Sequence, residues 1–197
     1  DKSFAGELAK DVDLYVNDAF GACHRSHASI DAITGLVPQA VAGLLVREEI
    51  DALSQALDSP PEEYVVILGG AKVADKIPVI RNLMPRARHI LIGGAMAYTF
   101  LKAQAKGVGG SRVEEPALPL CLELLEQSRK YPVEIHLPVD HIAAYKIEPN
   151  ITVRQVDEDE EIPEDMQGLD IGTRTAGIYT EIISRARMIL WNGPMGV

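Results

Sequence analysis

Cysteine is scarce in this sequence: there are two, Cys23 and Cys121, far apart and without a C-x-x-C pair. That excludes a disulfide framework, and both read as reduced thiols in a cytosolic protein. Basic residues are also short, 19 Lys and Arg against 29 Asp and Glu, a net charge of −10. The chain therefore lacks the broad basic face that a nucleic acid demands, and any phosphate ligand must be held by a few local cations. No apolar run approaches the ~20 residues of a membrane helix, and no basic, apolar signal-peptide pattern opens the sequence. What remains is ordinary for a packed core, 47% hydrophobic and 24% charged, in a length of 197 residues that suits one domain plus a piece of another. The sequence begins without Met and stops at Val197 directly after a turn, so we expect a piece of a longer protein.

Three apolar runs each lead into a glycine-bearing turn. Tyr64–Leu68 enters Gly69-Gly70-Ala71-Lys72, His89–Ile92 enters Gly93-Gly94-Ala95-Met96, and Met188–Trp191 enters Asn192-Gly193-Pro194-Met195-Gly196. Side by side in a parallel sheet, such turns line one crevice at the carboxyl ends of the strands. Small residues there let backbone approach a phosphate, and helix N-termini favour its charge. Around these runs strand and helix alternate, which predicts an α/β domain with a mostly parallel sheet and right-handed crossovers. Helices are expected from Asp75 as N-cap to about Met84, over Ala95–Ala105 with Gly107 as the stop, from Leu118 to near Lys130, and over Ala176–Ala186. Strands are expected around Val133–Leu137, with Ile151–Val156 as its neighbour, and at Leu169–Ile171. Upstream, Leu14–Asn17 reads as a strand. Leu44–Leu57 reads as a helix linking two bodies, ended by Ser59-Pro60-Pro61.

Lys72 and Lys76 stand four residues apart around the first turn. If the residues between are helical, both ammonium groups share one face and can neutralise neighbouring phosphates; otherwise they are two solvated lysines on a tight turn. The letters are neither G-x-x-x-x-G-K-[ST] nor G-x-G-x-x-G, which disfavours a P-loop and a dehydrogenase-type dinucleotide domain. Cys23-His24-Arg25-Ser26-His27 has the wrong spacing for a closed zinc site, so no metal ligands are assigned. Arg25 can grip a phosphate or carboxylate with its fork. His136 and His141 read as satisfied structural histidines, Asp157–Glu161 as a solvated acidic loop, and Gly107, Gly109 and Gly110 as a helix stop.

Taken together the letters resemble phosphoglycerate kinase. The resemblance rests on Tyr15-Val-Asn-Asp-Ala-Phe-Gly21, His24-Arg-Ser-His27, Leu68-Gly-Gly-Ala-Lys-Val-Ala-Asp-Lys76, Ile92-Gly-Gly-Ala-Met-Ala-Tyr-Thr-Phe-Leu-Lys102, Gly168-Leu-Asp-Ile-Gly172 and Trp191-Asn-Gly-Pro-Met-Gly-Val197, in the family's order. It implies a two-lobed monomeric kinase of the cytoplasm or a plastid. Such an enzyme moves a phosphoryl group between ATP and 3-phosphoglycerate, giving ADP and 1,3-bisphosphoglycerate, with Mg²⁺ on the nucleotide. Residues 1–43 would be the tail of the triose lobe, 44–58 the interdomain helix, and 63–197 most of a Rossmann-like, three-layer nucleotide lobe. By the same resemblance Arg25 helps hold the triose, Lys72 follows the transferring group, and Lys76 binds nucleotide phosphates. Gly70, Ala71, Gly94, Gly168 and Leu169 would line the adenosine pocket, with Asn192, Pro194, Gly196 and Val197 as its other wall. Ala95 stands where the family usually has a third glycine, a change that is tolerable if the position does not need positive φ. The family's basic triose residues and its metal-binding Asp are not in these letters, so the chain alone is expected to be catalytically silent. The alternative is a non-catalytic module that binds adenine nucleotide.

Overall fold

In the computed structural model, which describes residues 1–58 and 62–197, the chain divides into two units, Asp1–Ser59 and Pro60–Val197. The expected stop at Ser59-Pro60-Pro61 lies outside the described residues. In the first unit α1 (Lys2–Leu8) is capped by Asp1, whose carboxylate accepts from the Ser3 and Phe4 N–H groups at 2.9 and 3.3 Å. The strand β1 (Leu14–Asn17) pairs in parallel with β2 (Gln39–Ala42). Helix α2 (Leu44–Asp58) closes the unit, and its Val46 N–H donates to Asp18 Oδ1 at 3.1 Å. Sequence reading found β1 and α2. It missed α1 and β2, whose short runs carry no lasting period.

The second unit starts with β3 (Tyr64–Leu68), buried along its whole length because both of its faces are covered. Next come α3 (Ile77–Leu83), β4 (His89–Ile92), α4 (Met96–Ala103), α5 (Leu118–Ser128) and β5 (Glu134–His136). Then follow β6 (His141–Ala144), β7 (Arg154–Val156), β8 (Gln167–Ile171), α6 (Thr173–Arg185) and β9 (Met188–Asn192). The main sheet runs β5-β4-β3-β9, parallel throughout. Residues 66, 68, 90 and 92 point to one face, where Ile80, Met96, Phe100 and Leu124 from the three helices α3, α4 and α5 meet them. Residues 65, 67 and 91 point to the other face, against Tyr179, Ile182 and Ile183 of α6. The period-two alternation of strands thus feeds two separate cores, and the three-layer α/β expectation is met.

Several expectations need correction. Helix α3 begins at Ile77 with Lys76 at the cap, not Asp75, because residues 71–76 form bends and turns instead of helix. Lys72 and Lys76 therefore do not share a helical face. Helix α4 ends at Ala103, and Ala105 takes the left-handed conformation at φ 62°, so Gly107 is not the stop. Gly109 and Gly110 instead meet the 163–166 segment, where Gly110 N–H donates to the Met166 carbonyl at 2.7 Å. The strand placed at Ile151–Val156 shrinks to β7 and does not neighbour β5. It joins a second sheet, β7-β6-β8, that is antiparallel. Strand β6, four residues long and without alternation in its letters, was not foreseen. The acidic run is the exposed loop expected, and two of its carboxylates make surface ion pairs, Glu158 with Arg174 at 2.5 Å and Glu160 with Arg154 at 3.1 Å. His141, in contrast, is not satisfied: its Nδ1 is buried without a hydrogen-bond partner among the described residues.

Both cysteines are free. Burial first, and the Glu114 carboxylate second, push the Cys121 thiol up to about 12, so it stays a neutral core group. Among the described residues no helix is long and apolar enough to cross a membrane.

Candidate nucleotide site

Backbone hydrogen bonds lock the three glycine turns into one platform at the carboxyl ends of β3, β4 and β9. Gly69 N–H donates to the Asn192 carbonyl at 2.9 Å, and Gly70 N–H to that of Pro194 at 2.8 Å. From the β4 turn, Gly94 N–H donates to the Met195 carbonyl at 2.7 Å, and Met96 N–H to that of Gly70 at 2.8 Å. Such close approach leaves no room for side chains, and this is the physical reason for glycine at Gly94, where φ is also 63°. Ala95 sits at φ −62°, an ordinary helical value, so the alanine there is unstrained.

Beside the platform lies a cavity of about 260 Å³. Gly70 and Ala71 line it from the β3 turn, Gly94 and Ala95 from the β4 turn, and Pro194, Gly196 and Val197 from the segment after β9. Its far wall is β8, through Gln167, Gly168 and Leu169. Val197 N–H donates to the Leu169 carbonyl at 3.1 Å and ties the two walls together. Eight of the residues assigned from the sequence, Gly70, Ala71, Gly94, Gly168, Leu169, Pro194, Gly196 and Val197, thus share one cavity. At about 260 Å³ it falls just below the roughly 300–1,000 Å³ usual for small-molecule sites, so it suits a nucleoside moiety with any charged tail lying outside. Larger cavities exist, one of about 710 Å³ around His89, but it lies at the opposite end of the strands and includes no glycine turn.

Lys76 and Asn192 do not line this cavity; the Lys76 ammonium donates to Asn192 Oδ1 instead. Lys72 is exposed and has no hydrogen bond or ion pair through its side chain among the described residues. Arg25 belongs to the first unit, on an exposed turn where its N–H donates to the Ala22 carbonyl at 3.0 Å. Two contributors escaped sequence reading. Glu114 Oε2 accepts from the Val73 and Ala74 N–H groups at 2.8 and 3.2 Å, holding the lysine-bearing turn from 40 residues away. Arg112 lines the cavity and adds a cation, although its neighbourhood reads only as a glycine-rich break. No local pattern could have marked either, because both act through a tertiary approach.

The family model for phosphoglycerate kinase matches residues 1–197, the whole chain. The chain belongs to the phosphoglycerate kinase family. It is 49% identical over 197 residues to the phosphoglycerate kinase of Koribacter versatilis, covering all of this chain and 49% of that protein. To the enzyme of Thermosipho africanus it is 48% identical over 197 residues, with 100% and 49% covered. Among solved structures, phosphoglycerate kinase from Coxiella burnetii superposes with a TM-score of 0.85 at 33% identity, over 100% of this chain and 50% of that one. The enzyme from Pyrococcus horikoshii gives 0.81 at 32%, over 100% and 51%. The chain thus spans about half the length of the curated relatives it matches.

Proposed function

We propose that this chain supplies the nucleotide-holding part of a phosphoglycerate kinase, which transfers a phosphoryl group between ATP and 3-phosphoglycerate. The observation that carries the reading is the platform of three glycine turns, with its cavity lined by backbone and small side chains and with two lysines on the adjoining turn. The base and ribose would enter the cavity, and the phosphates would extend toward Lys72 and Lys76. Phosphoryl transfer needs positioning and neutralisation of charge on the equatorial oxygens more than covalent help. Lys72, exposed beside the platform and without a side-chain partner among the described residues, is the group we assign to that charge, and Lys76 to the nucleotide phosphates. The acceptor carboxylate of the triose is ionised at neutral pH, so the reaction calls for no protein base. Arg25 is assigned to the triose. Mg²⁺ enters as part of the nucleotide substrate. Because the chain spans about half of its relatives' length, we assign turnover to the whole protein and nucleotide holding to this chain. The reading carries a monomer in a reducing, cytoplasmic setting, with which two free thiols agree.

Calorimetric titration of the chain with MgADP tests it. Lys76→Ala is expected to weaken binding about tenfold, roughly 1.4 kcal/mol, through loss of one charge-assisted contact. Equal affinity in the folded variant would remove Lys76 from the site, and heatless titration of the folded wild-type chain would defeat the reading for this chain.

A further inference from the structure

At the amino ends of the main-sheet strands, away from the glycine turns, two histidines and a carboxylate converge. His89 opens β4, and Glu134 and His136 belong to β5. The parallel register sets His89 opposite Glu134 and Leu91 opposite His136. Period-two alternation then puts all three side chains on the face that α6 covers. His89 Nδ1 lies 3.0 Å from His136 Nε2, and Glu134 Oε2 lies 3.8 Å from each. Two ligands at the bond lengths of tetrahedral zinc stand about 3.3 Å apart, so these three atoms need to move only by roughly half an ångström to share one ion.

We propose that His89, Glu134 and His136 form a binding site for a transition metal ion of the zinc class. Two imidazoles and one carboxylate select such an ion over Mg²⁺ or Ca²⁺, which prefer oxygen throughout. The surroundings hold the ligands ready. Arg88 reaches Glu134 Oε1 at 3.4 Å and leaves Oε2 to face the imidazoles. The Tyr179 hydroxyl lies 3.0 and 2.8 Å from the carbonyl oxygens of His136 and Ile92 and shares its single proton between them, so the backbones of both strands are held against α6. A carboxylate oriented by a second layer of partners in this way is typical of metal sites. The three residues open on the cavity of about 710 Å³, which leaves room for water as a further ligand. Without an ion, the His89–His136 approach at 3.0 Å is an N–H···N hydrogen bond between two neutral rings; the ion would take the place of that proton. A bound ion would staple the edge strand β5 to β4. His89 stands three residues from Ile92, about 10 Å along the strand, so the site is separate from the nucleotide cavity.

The test is optical titration of the EDTA-stripped full chain with Co²⁺, followed by displacement with Zn²⁺. One equivalent of Co²⁺ should give visible d–d absorption of low-coordinate type, and Zn²⁺ should abolish it. His136→Gln and the milder, surface-tolerated Glu134→Gln should each weaken binding by at least about tenfold, with unchanged circular dichroism. Should His136→Gln fail to fold, Glu134→Gln alone decides. Absorption that persists at equal affinity in the folded variants would place the ion elsewhere, for example at Cys23 and its neighbouring histidines, and overturn the proposal. So would the lack of a protein-specific band at millimolar Co²⁺.

Discussion

Gly94→Ala is expected to destabilise the second unit by about 3 kcal/mol or more and to abolish nucleotide binding. Its φ of 63° already costs an L-residue about 1 kcal/mol. The larger cost is steric. A Cβ at this position would lie 2.6 Å from the Gly70 nitrogen, 2.7 Å from the Pro194 oxygen and 2.8 Å from the Gly70 oxygen. All three are backbone atoms, which cannot swing aside as a side chain can, so the turns after β3 and β9 must part. Parting them breaks the hydrogen bonds from Gly70 to Pro194 and from Met96 to Gly70 and opens the wall of the cavity. Urea unfolding followed by fluorescence of the one tryptophan, Trp191 in β9, reads this directly. The neighbouring Ala95→Gly serves as contrast. Because Ala95 holds φ −62°, it should cost no more than about 1 kcal/mol of helix-start entropy. Equal stability of Gly94→Ala and wild type would mean that the turns are not interlocked as described.

Asp140→Ala is expected to cost about 3 kcal/mol at neutral pH. This carboxylate is 1% exposed, and it accepts from the Arg174 N–H at 2.8 Å, the Thr175 N–H at 2.7 Å and the Thr175 hydroxyl. It therefore satisfies the open N–H groups of the first turn of α6 from 34 residues upstream, in the place of a local cap, since Gly172 has no side chain to offer. Alanine would leave those donors buried without partners. Burial opposes the charge, but the Thr175 hydroxyl, the Thr175 and Arg174 N–H groups and the nearby His141 outweigh it and hold this carboxyl below the usual aspartate range. The sign of the pH dependence follows. A depressed folded value contributes stability that is complete above the unfolded value near 3.9 and fades as pH falls through the folded one. The gap in urea midpoint between wild type and Asp140→Asn, which cannot ionise, should therefore be constant from neutral pH down to about 5 and shrink below about 4. A gap that widens on acidification would contradict the assignment.

How much of this was legible in the sequence depends on the range of the interaction involved. Strands β3 and β4 are readable to the residue because continuous apolar runs meet glycine, and β9 is readable to within one residue. Their common crevice follows from parallel stacking alone. Residues 71–76 misled because a lysine pair at helical spacing does not show that the backbone between is held non-helical by Glu114, 40 residues on. The start of α6 was placed three residues late for the same reason, since its cap, Asp140, lies in the β6 approach. His89, Glu134 and His136 show no motif because strand register, not sequence spacing, brings them together. The small antiparallel sheet was hidden because β6 and β7 are too short to display a period.

The central claim is that nucleotide sits on the glycine platform. Amide chemical-shift mapping of the ¹⁵N-labelled chain during MgADP titration tests it most directly. The account predicts saturable shifts at Gly70, Ala71, Gly94, Gly168, Leu169 and Gly196, with the amides around His89 and His136 at the far end of the strands left in place. Shifts that gather at the far end while the platform amides stay still would contradict it.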